Sequence, residues 1–204
     1  AFRGVASSTN VRSMVACILP PRSFSPNSAA VVIPRKNRLV VTGAEYLQFV
    51  AYLAGILNSY VFDFLIRTRI SMNLNFFYVY QTPIPSSIDH PHAKQIIQIA
   101  ARLSSPDERF AKFASSLDVN VGPLSMKVRI ELTAKLNALV AKHYGLSREE
   151  FEVILQSFDG FIEDENLEKL VEVKWSDDLV RRFNGEIRKR ALQYFDHPEL
   201  GGEV

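Results

Sequence analysis

Between Tyr46 and Ile66 run 21 residues without a single lysine or arginine, "YLQFVAYLAGILNSYVFDFLI". So long an apolar stretch is either a membrane span or a helix buried inside a protein. Its polar residues decide between the two. Gln48, Tyr52, Gly55, Ser59 and Asp63 recur at spacings of four, three, four and four, which places them in one stripe on an otherwise apolar helix. An unpaired Asp63 is also costly in lipid. The expectation is one largely buried helix of a soluble protein, with the rest of the chain arranged around it.

The residues that follow are of unusual composition. "RTRISMNLNFFYVYQTPIP", Arg67 to Pro85, opens with two arginines, continues with two asparagines and four aromatics, and closes on two prolines. Met72, Leu74, Phe76, Tyr78 and Tyr80 alternate with Asn73, Asn75, Phe77, Val79 and Gln81, a period of two that predicts a strand. The even face is apolar and is expected to pack under the helix. The odd face begins with two amides, and Pro83 and Pro85 end the element. Phe76, Leu57 and Leu136 each fall on the apolar phase of their element and are expected in the core.

Upstream, "GVASSTNVRSMVACILPP" reads as a strand pair around a polar turn at Ser7–Asn10, with "SMVACIL" a buried strand ended by Pro20 and Pro21. "SFSPNS" reads as a loop. "AAVVIP" and "RLVVT" read as short strands split by the basic turn Arg35-Lys36-Asn37-Arg38. From His90 onward the pattern is helical. His90–Leu103 forms one predicted helix, and "SSPDER" starts another. Val128, Leu132, Leu136, Leu139, Val140 and Tyr144 make a helical stripe that stops at Gly145. Ser147 and Glu150 match a capping box, with Leu146 and Phe151 as its hydrophobic staple. A further helix is predicted over Asp177–Tyr194. The fold class is thus α+β: a mixed strand/helix region over 1–88, then a mostly helical region over 89–204.

The 204 residues suffice for one domain or two small ones with a real core. The single Cys17 excludes an internal disulfide, and no signal peptide opens the chain. It begins at Ala1 rather than at a methionine, so it reads as a piece of a longer, cytoplasmic protein. The net charge of +2 conceals an asymmetry. Residues 1–102 hold ten Lys or Arg against three Asp or Glu, and residues 103–204 hold 14 against 19. Only the first half, at +7, is suited to face a polyanion.

Catalytic motifs are absent or weak. There is no glycine-rich phosphate loop and no G-x-S-x-G elbow. His90, His92, His143 and His197 do not form a metal-ligand series with Cys17 by spacing, although His90 and His92 flank Pro91 and can face one way. "ILPPRS" fails the proline-proline motif of amino-methylating enzymes, because Leu19 and Arg22 stand where a polar residue and an aromatic are needed. Glu172-Val173-Lys174, with Asp159 or Asp164 upstream, has the spacing of a metal-dependent nuclease, a triplet common by chance in a charged segment. The Arg67–Pro85 stretch is the better lead. Arg makes bidentate contacts to guanine or phosphate, Asn pairs with adenine, and aromatics stack on bases or fill a core.

At this point three signatures resemble a known family. "LNSYVFDFLIRTRISMNLNFFYVYQTPIP" resembles a segment in the C-terminal part of type IIG restriction–modification enzymes and related phage-defence DNA methyltransferases. The matching residues are Leu57-Asn58-Ser59, Asp63-Phe64, Arg67, Asn73 to Phe77 and Pro83-Ile84-Pro85. "FRGVASSTNVRSMVACILP" is similar to the strand pair that precedes it there, and carries Asn10 and Arg12. "KLNALVAKHYGLSREEFEVIL" looks like the family's downstream helices, with Asn137 where Asp is usual. Together the signatures span about residues 2–158, and the tail from Asp159 is weakly covered.

The resemblance implies a target recognition region that positions an N6-adenine methyltransferase on double-stranded DNA. The family's catalytic tetrapeptide and cofactor-binding glycines are missing, so the fragment is expected to be non-catalytic and to hold no cofactor. S-adenosylmethionine, and any endonuclease activity, belong to the catalytic region of the parent chain. The candidate DNA-binding residues are Asn10, Arg12, Arg67, Arg69, Asn73 and Asn75. A protein-interaction helical module is the alternative, the acidic helical half docking on a methyltransferase or nuclease subunit without touching DNA. A contiguous basic face including Arg12, Arg67 and Arg69 favours DNA; burial of those arginines in ion pairs favours docking.

Overall fold

The computed structural model describes residues 1–8, 10–36, 39–40, 43–158 and 177–200. The architecture is α+β and mostly helical. Four two-residue strands come first: β1 (Phe2–Arg3), β2 (Ala29–Ala30), β3 (Arg35–Lys36) and β4 (Leu39–Val40). β1 pairs antiparallel with β2, and β3 with β4. The other edge of β1 meets the Arg12–Cys17 segment through a bridge between Phe2 and Ala16. Arg3 N–H donates to Val15 O at 2.9 Å, and Cys17 N–H to Ala1 O at 2.8 Å. The anticipated ribbon around the Ser7–Asn10 turn is therefore present. "SMVACIL", however, is not a fully buried strand: Met14 points inward, while Val15 and Cys17 are exposed.

The apolar stretch forms two helices rather than one. α1 (Ala44–Leu57) and α2 (Tyr60–Arg67) meet at an angle of 64°. The break falls on Asn58-Ser59, two residues that compete with helical hydrogen bonding and favour helix ends. Ser59 Oγ accepts the Phe62 N–H at 3.1 Å as the N-cap of α2. Asn58 Nδ2 donates to Ala54 O at 2.9 Å, back into the last turn of α1. Among the described residues no single helix is long and apolar enough to cross a membrane. Gly55 lets α1 close on the next long helix, since a Cβ there would lie 2.8 Å from Ile96 Cγ2.

The predicted strand over Met72–Gln81 is instead a helix for most of its length, α3 (Phe76–Gln81). Only Asn73 makes a bridge, to Val5, and Leu74 N–H donates to Gly4 O at 2.7 Å. With no partner strand beyond that point, the backbone satisfies its own groups by coiling. Phe76 and Tyr80, four residues apart, then stack with centroids 5.6 Å apart. The alternation that suggested a strand does not survive as a buried face. Leu74 and Val79 are buried and Phe76 is half-buried, whereas Met72, Phe77 and Tyr80 are exposed.

The rest is helical as expected. α4 (Pro91–Leu103) follows His90 as N-cap. A 3₁₀ turn over Glu108–Phe110 leads into α5 (Ala111–Ser116), and α6 (Met126–His143) is the central helix, packed against α4 and α8. α6 ends on Gly145 with φ of +74°. There Gly145 N–H reaches Lys142 O and Leu146 N–H reaches Ala141 O, the double bond of a Schellman stop. α7 (Arg148–Gln156) opens with the expected capping box between Ser147 and Glu150. α8 (Asp177–Asp196) lies along α6, held by Arg190 paired with Glu131 and by Tyr194 OH donating to Glu131 at 2.7 Å.

One apolar core runs through both regions and includes Phe2, Met14, Tyr60, Ile96, Val140, Phe151 and Tyr194. Leu57 and Leu136 lie in it as expected; Phe76 only packs against it. Truncating Leu57 or Leu136 to Ala is expected to cost about 2–5 kcal/mol in denaturant unfolding. Phe76→Ala is expected to cost less than either, because its ring is already partly in water.

Candidate nucleic-acid interface

The six candidate residues separate into two groups. Arg12 and Arg67 converge on Asp63, whose side chain is completely buried in α2. Arg12 Nε donates to Asp63 Oδ2 at 2.6 Å, and its Nη2 donates to Asn58 O at 2.8 Å and Ser59 O at 3.1 Å. The guanidinium lies over the Tyr60 ring, 4.3 Å from the centroid. Burial acts to lower the pKa of Arg12, and attraction to Asp63 acts to raise it; the attraction prevails. Arg67 donates through Nη2 to Asn10 O at 2.8 Å and Val11 O at 3.1 Å, and lies 4.2 Å from the Phe158 ring centroid. Its Nε is 4.0 Å from Asp63 Oδ1. The two side chains are only 15% and 16% exposed. They hold the Asn10–Arg12 loop onto α2 rather than present charge to solvent.

Asp63 does more than pair with arginine. Its carboxylate also accepts the N–H groups of Ser13, at 3.1 Å, and Met14, at 3.2 Å. Two residues on, Asn58 Oδ1 accepts the Ala16 N–H and Asn58 Nδ2 donates to Ala16 O, each at 3.0 Å. The Arg12–Ala16 segment thus finds side chains of the helix break where a strand would find a neighbouring strand. Apart from the Phe158 ring under Arg67, the residues of this arrangement lie in the short stretches Asn10–Ala16 and Asn58–Arg67.

The second group is exposed. Asn10 sits in the loop that Arg67 holds, its Oδ1 accepting the Ser7 N–H at 2.8 Å. Arg69 donates through Nη1 to Gln81 O at 2.9 Å, which ties the end of α2 to the end of α3. Asn73 and Asn75 are exposed, and Asn75 takes the N-cap position of α3 without a side-chain capping bond. Sequence reasoning missed the apolar members of this surface. Phe77 and Tyr80 are 62% and 74% exposed, and Met72 and Val5 are exposed beside them in the chain or across the Val5–Asn73 bridge. A helical reading of Phe76 and Tyr80, four apart behind Asn75, would have found them. Arginine, amides and open aromatic rings thus share one short stretch, Arg69 to Gln81.

Other candidates fall elsewhere. Glu172, Lys174, Asp159 and Asp164, the nuclease triplet and its carboxylates, lie outside the described residues. His90, His92 and His143, which spacing alone leaves apart, are brought together where α4 begins and α6 ends. No protein family, curated protein or solved structure matches this chain.

Replacing Asp63 with Ala leaves the Arg12 guanidinium and two buried N–H groups without their acceptor. Loss of one member of such a buried pair is expected to cost about 3–5 kcal/mol. Arg69→Ala, on the exposed group, is expected to change stability by no more than about 0.5 kcal/mol. Urea unfolding of the two variants side by side checks this division into anchors and contacts.

Proposed function

We propose that this chain recognises a specific sequence on duplex DNA, as the non-catalytic recognition part of an adenine-N6 DNA methyltransferase of the restriction–modification and phage-defence kind. The observation that carries the reading is the exposed run from Arg69 to Gln81: a cation, two amides and two open aromatic rings, on a rigid mount. Exposed aromatics without apolar cover are costly to keep unless a partner uses them. Amides read base edges, and Arg serves either a base or a phosphate. Asn10, Arg69, Asn73 and Asn75 form the contact set. Arg12 and Arg67 act one step back, by fixing the loop that carries Asn10. In the parent chain, S-adenosylmethionine would bind the catalytic region, in the cytoplasm, while this part sets the register.

Burial of Arg12 and Arg67 against Asp63 favours a second reading, a module that docks on a methyltransferase or nuclease subunit through Phe77, Tyr80, Met72 and Val5. Duplex binding measured by fluorescence anisotropy separates the two. Under the DNA reading, affinity falls steeply between about 50 and 200 mM salt. If Arg69 holds a phosphate, Arg69→Ala weakens binding to all sequences and lowers the salt slope by about one. Asn73→Ala and Asn75→Ala each cost about 1–3 kcal/mol on the preferred site alone if they read bases. No duplex binding at about 50 mM salt, with Phe77→Ala abolishing attachment to the catalytic region, would establish docking instead.

A further inference from the structure

We propose that His90, His92 and His143 form a binding site for a divalent transition-metal ion of imidazole preference, zinc foremost. One candidate ligand atom from each histidine lies within 4.8 Å of the other two. The rings cluster at tilted angles: His90 is 4.7 Å from His92 and 5.1 Å from His143, centroid to centroid. Tetrahedral zinc with Zn–N bonds of about 2.0–2.1 Å needs donor atoms about 3.4 Å apart. His90 is exposed, and His92 and His143 are each half-buried, so the donors must draw closer than they stand here for an ion to be held.

Two further observations point to ligation rather than to chance proximity. The first is His92 Nδ1, which is buried and has no hydrogen-bond partner. A buried, unpartnered ring nitrogen is an unsatisfied group that a metal ion would satisfy. The second is the tautomer of His143. Tyr52 OH donates to Pro85 O at 2.6 Å, so its oxygen is left as the acceptor for His143 Nε2, 3.0 Å away. The hydrogen of the neutral imidazole is then on Nε2, and the lone pair on Nδ1 is free to ligate. A ligating histidine whose other nitrogen is held by an oriented partner is the usual arrangement at metal sites. His90 Nδ1 accepts the His92 N–H at 3.2 Å as a weak cap, so either a rotated ring or its Nε2 serves the metal.

Three neutral nitrogens and no carboxylate in the cluster favour zinc, cobalt, nickel or copper over magnesium or calcium. The site would clip the segment that leaves α3 at Thr82 and enters α4 at Pro91 onto the C-terminal end of α6. This inference does not depend on what the Arg69–Gln81 stretch binds.

The test is titration of the full chain with Co²⁺ alone, followed by displacement with Zn²⁺. Intense visible bands of tetrahedral cobalt are expected, bleached by stoichiometric zinc, together with a rise in melting temperature. Tyr52→Phe, which removes the partner of His143 Nε2 together with the bond to Pro85 O and leaves the three histidines in place, is expected to weaken cobalt binding about 10–100-fold. His92→Gln and His143→Gln are each expected to abolish the tetrahedral spectrum. Ring ¹⁵N chemical shifts of the unsubstituted chain give a readout that needs no variant. Zinc should move the nitrogens of His90, His92 and His143, and leave those of His197, which faces Glu199, unchanged. Only weak octahedral cobalt spectra, or equal affinity in His92→Gln, or zinc shifts confined to His197, would overturn the site.

Discussion

The buried carboxylate of Asp63 is the interaction on which the N-terminal half depends. A charge taken wholly out of water is tolerated only when its oxygens are fully engaged. Asp63 engages Arg12 and the Ser13 and Met14 N–H groups, with Arg67 at longer range. Asn58 completes the attachment at Ala16. These bonds draw the extended Arg12–Ala16 segment onto the corner between α1 and α2, and β1 then pairs with that segment along its other edge. The short strands alone, two residues each, bury too little to be stable.

The same corner is secured from the helical half. Asn137, buried in α6, accepts the Tyr60 N–H at 2.7 Å through Oδ1 and donates to Thr133 O at 2.8 Å through Nδ2. An α6 side chain thereby satisfies one of the open N–H groups at the start of α2. Tyr60 OH reaches Asn184 Oδ1 on α8 at 2.8 Å. The helix break is thus held by the ribbon on one side and by two helices of the bundle on the other. An aspartate at position 137 would accept the Tyr60 N–H equally but could not donate to Thr133 O. The amide suits a buried site with one donor and one acceptor to meet.

That rigidity gives the exposed stretch its character. Arg69 and Gln81 close a loop over the two ends of α2 and α3, and Leu74 and Val79 are buried beneath it. The polar and aromatic side chains between them are held on a fixed mount rather than on a mobile loop. Recognition surfaces gain from such pre-organisation, since less ordering entropy is lost on binding. Two arginines that composition alone would assign to a polyanion are instead part of the mount. Their charge is largely answered within the fold, and the basic character of the N-terminal half rests on the arginines that remain at the surface.

Much of the helical half was legible in the residues. The α6 stripe, the Gly145 stop, the Ser147–Glu150 box and the start of α4 are local devices, set by side chains within a few positions of one another. The N-terminal half was legible only in part. The polar stripe of the apolar stretch includes Ser59 and Asp63, but it runs on through Ser59 as one helix face, where the structure ends one helix and caps the next. The partners that hold the break in place lie 42 to 77 residues away: Ala16, Met14, Asn137. The Met72–Gln81 alternation failed for the same reason, since a strand needs a neighbour and the fold supplies one only as far as Asn73. Arg12, Arg67 and Arg69 look alike in sequence, as do His90, His92, His143 and His197. Sequence by itself determined which residues carry charge, amide or imidazole and which helices form locally. Tertiary structure alone decided which of them are buried anchors and which face solvent, because that choice depends on long-range pairing of a carboxylate no local pattern can locate.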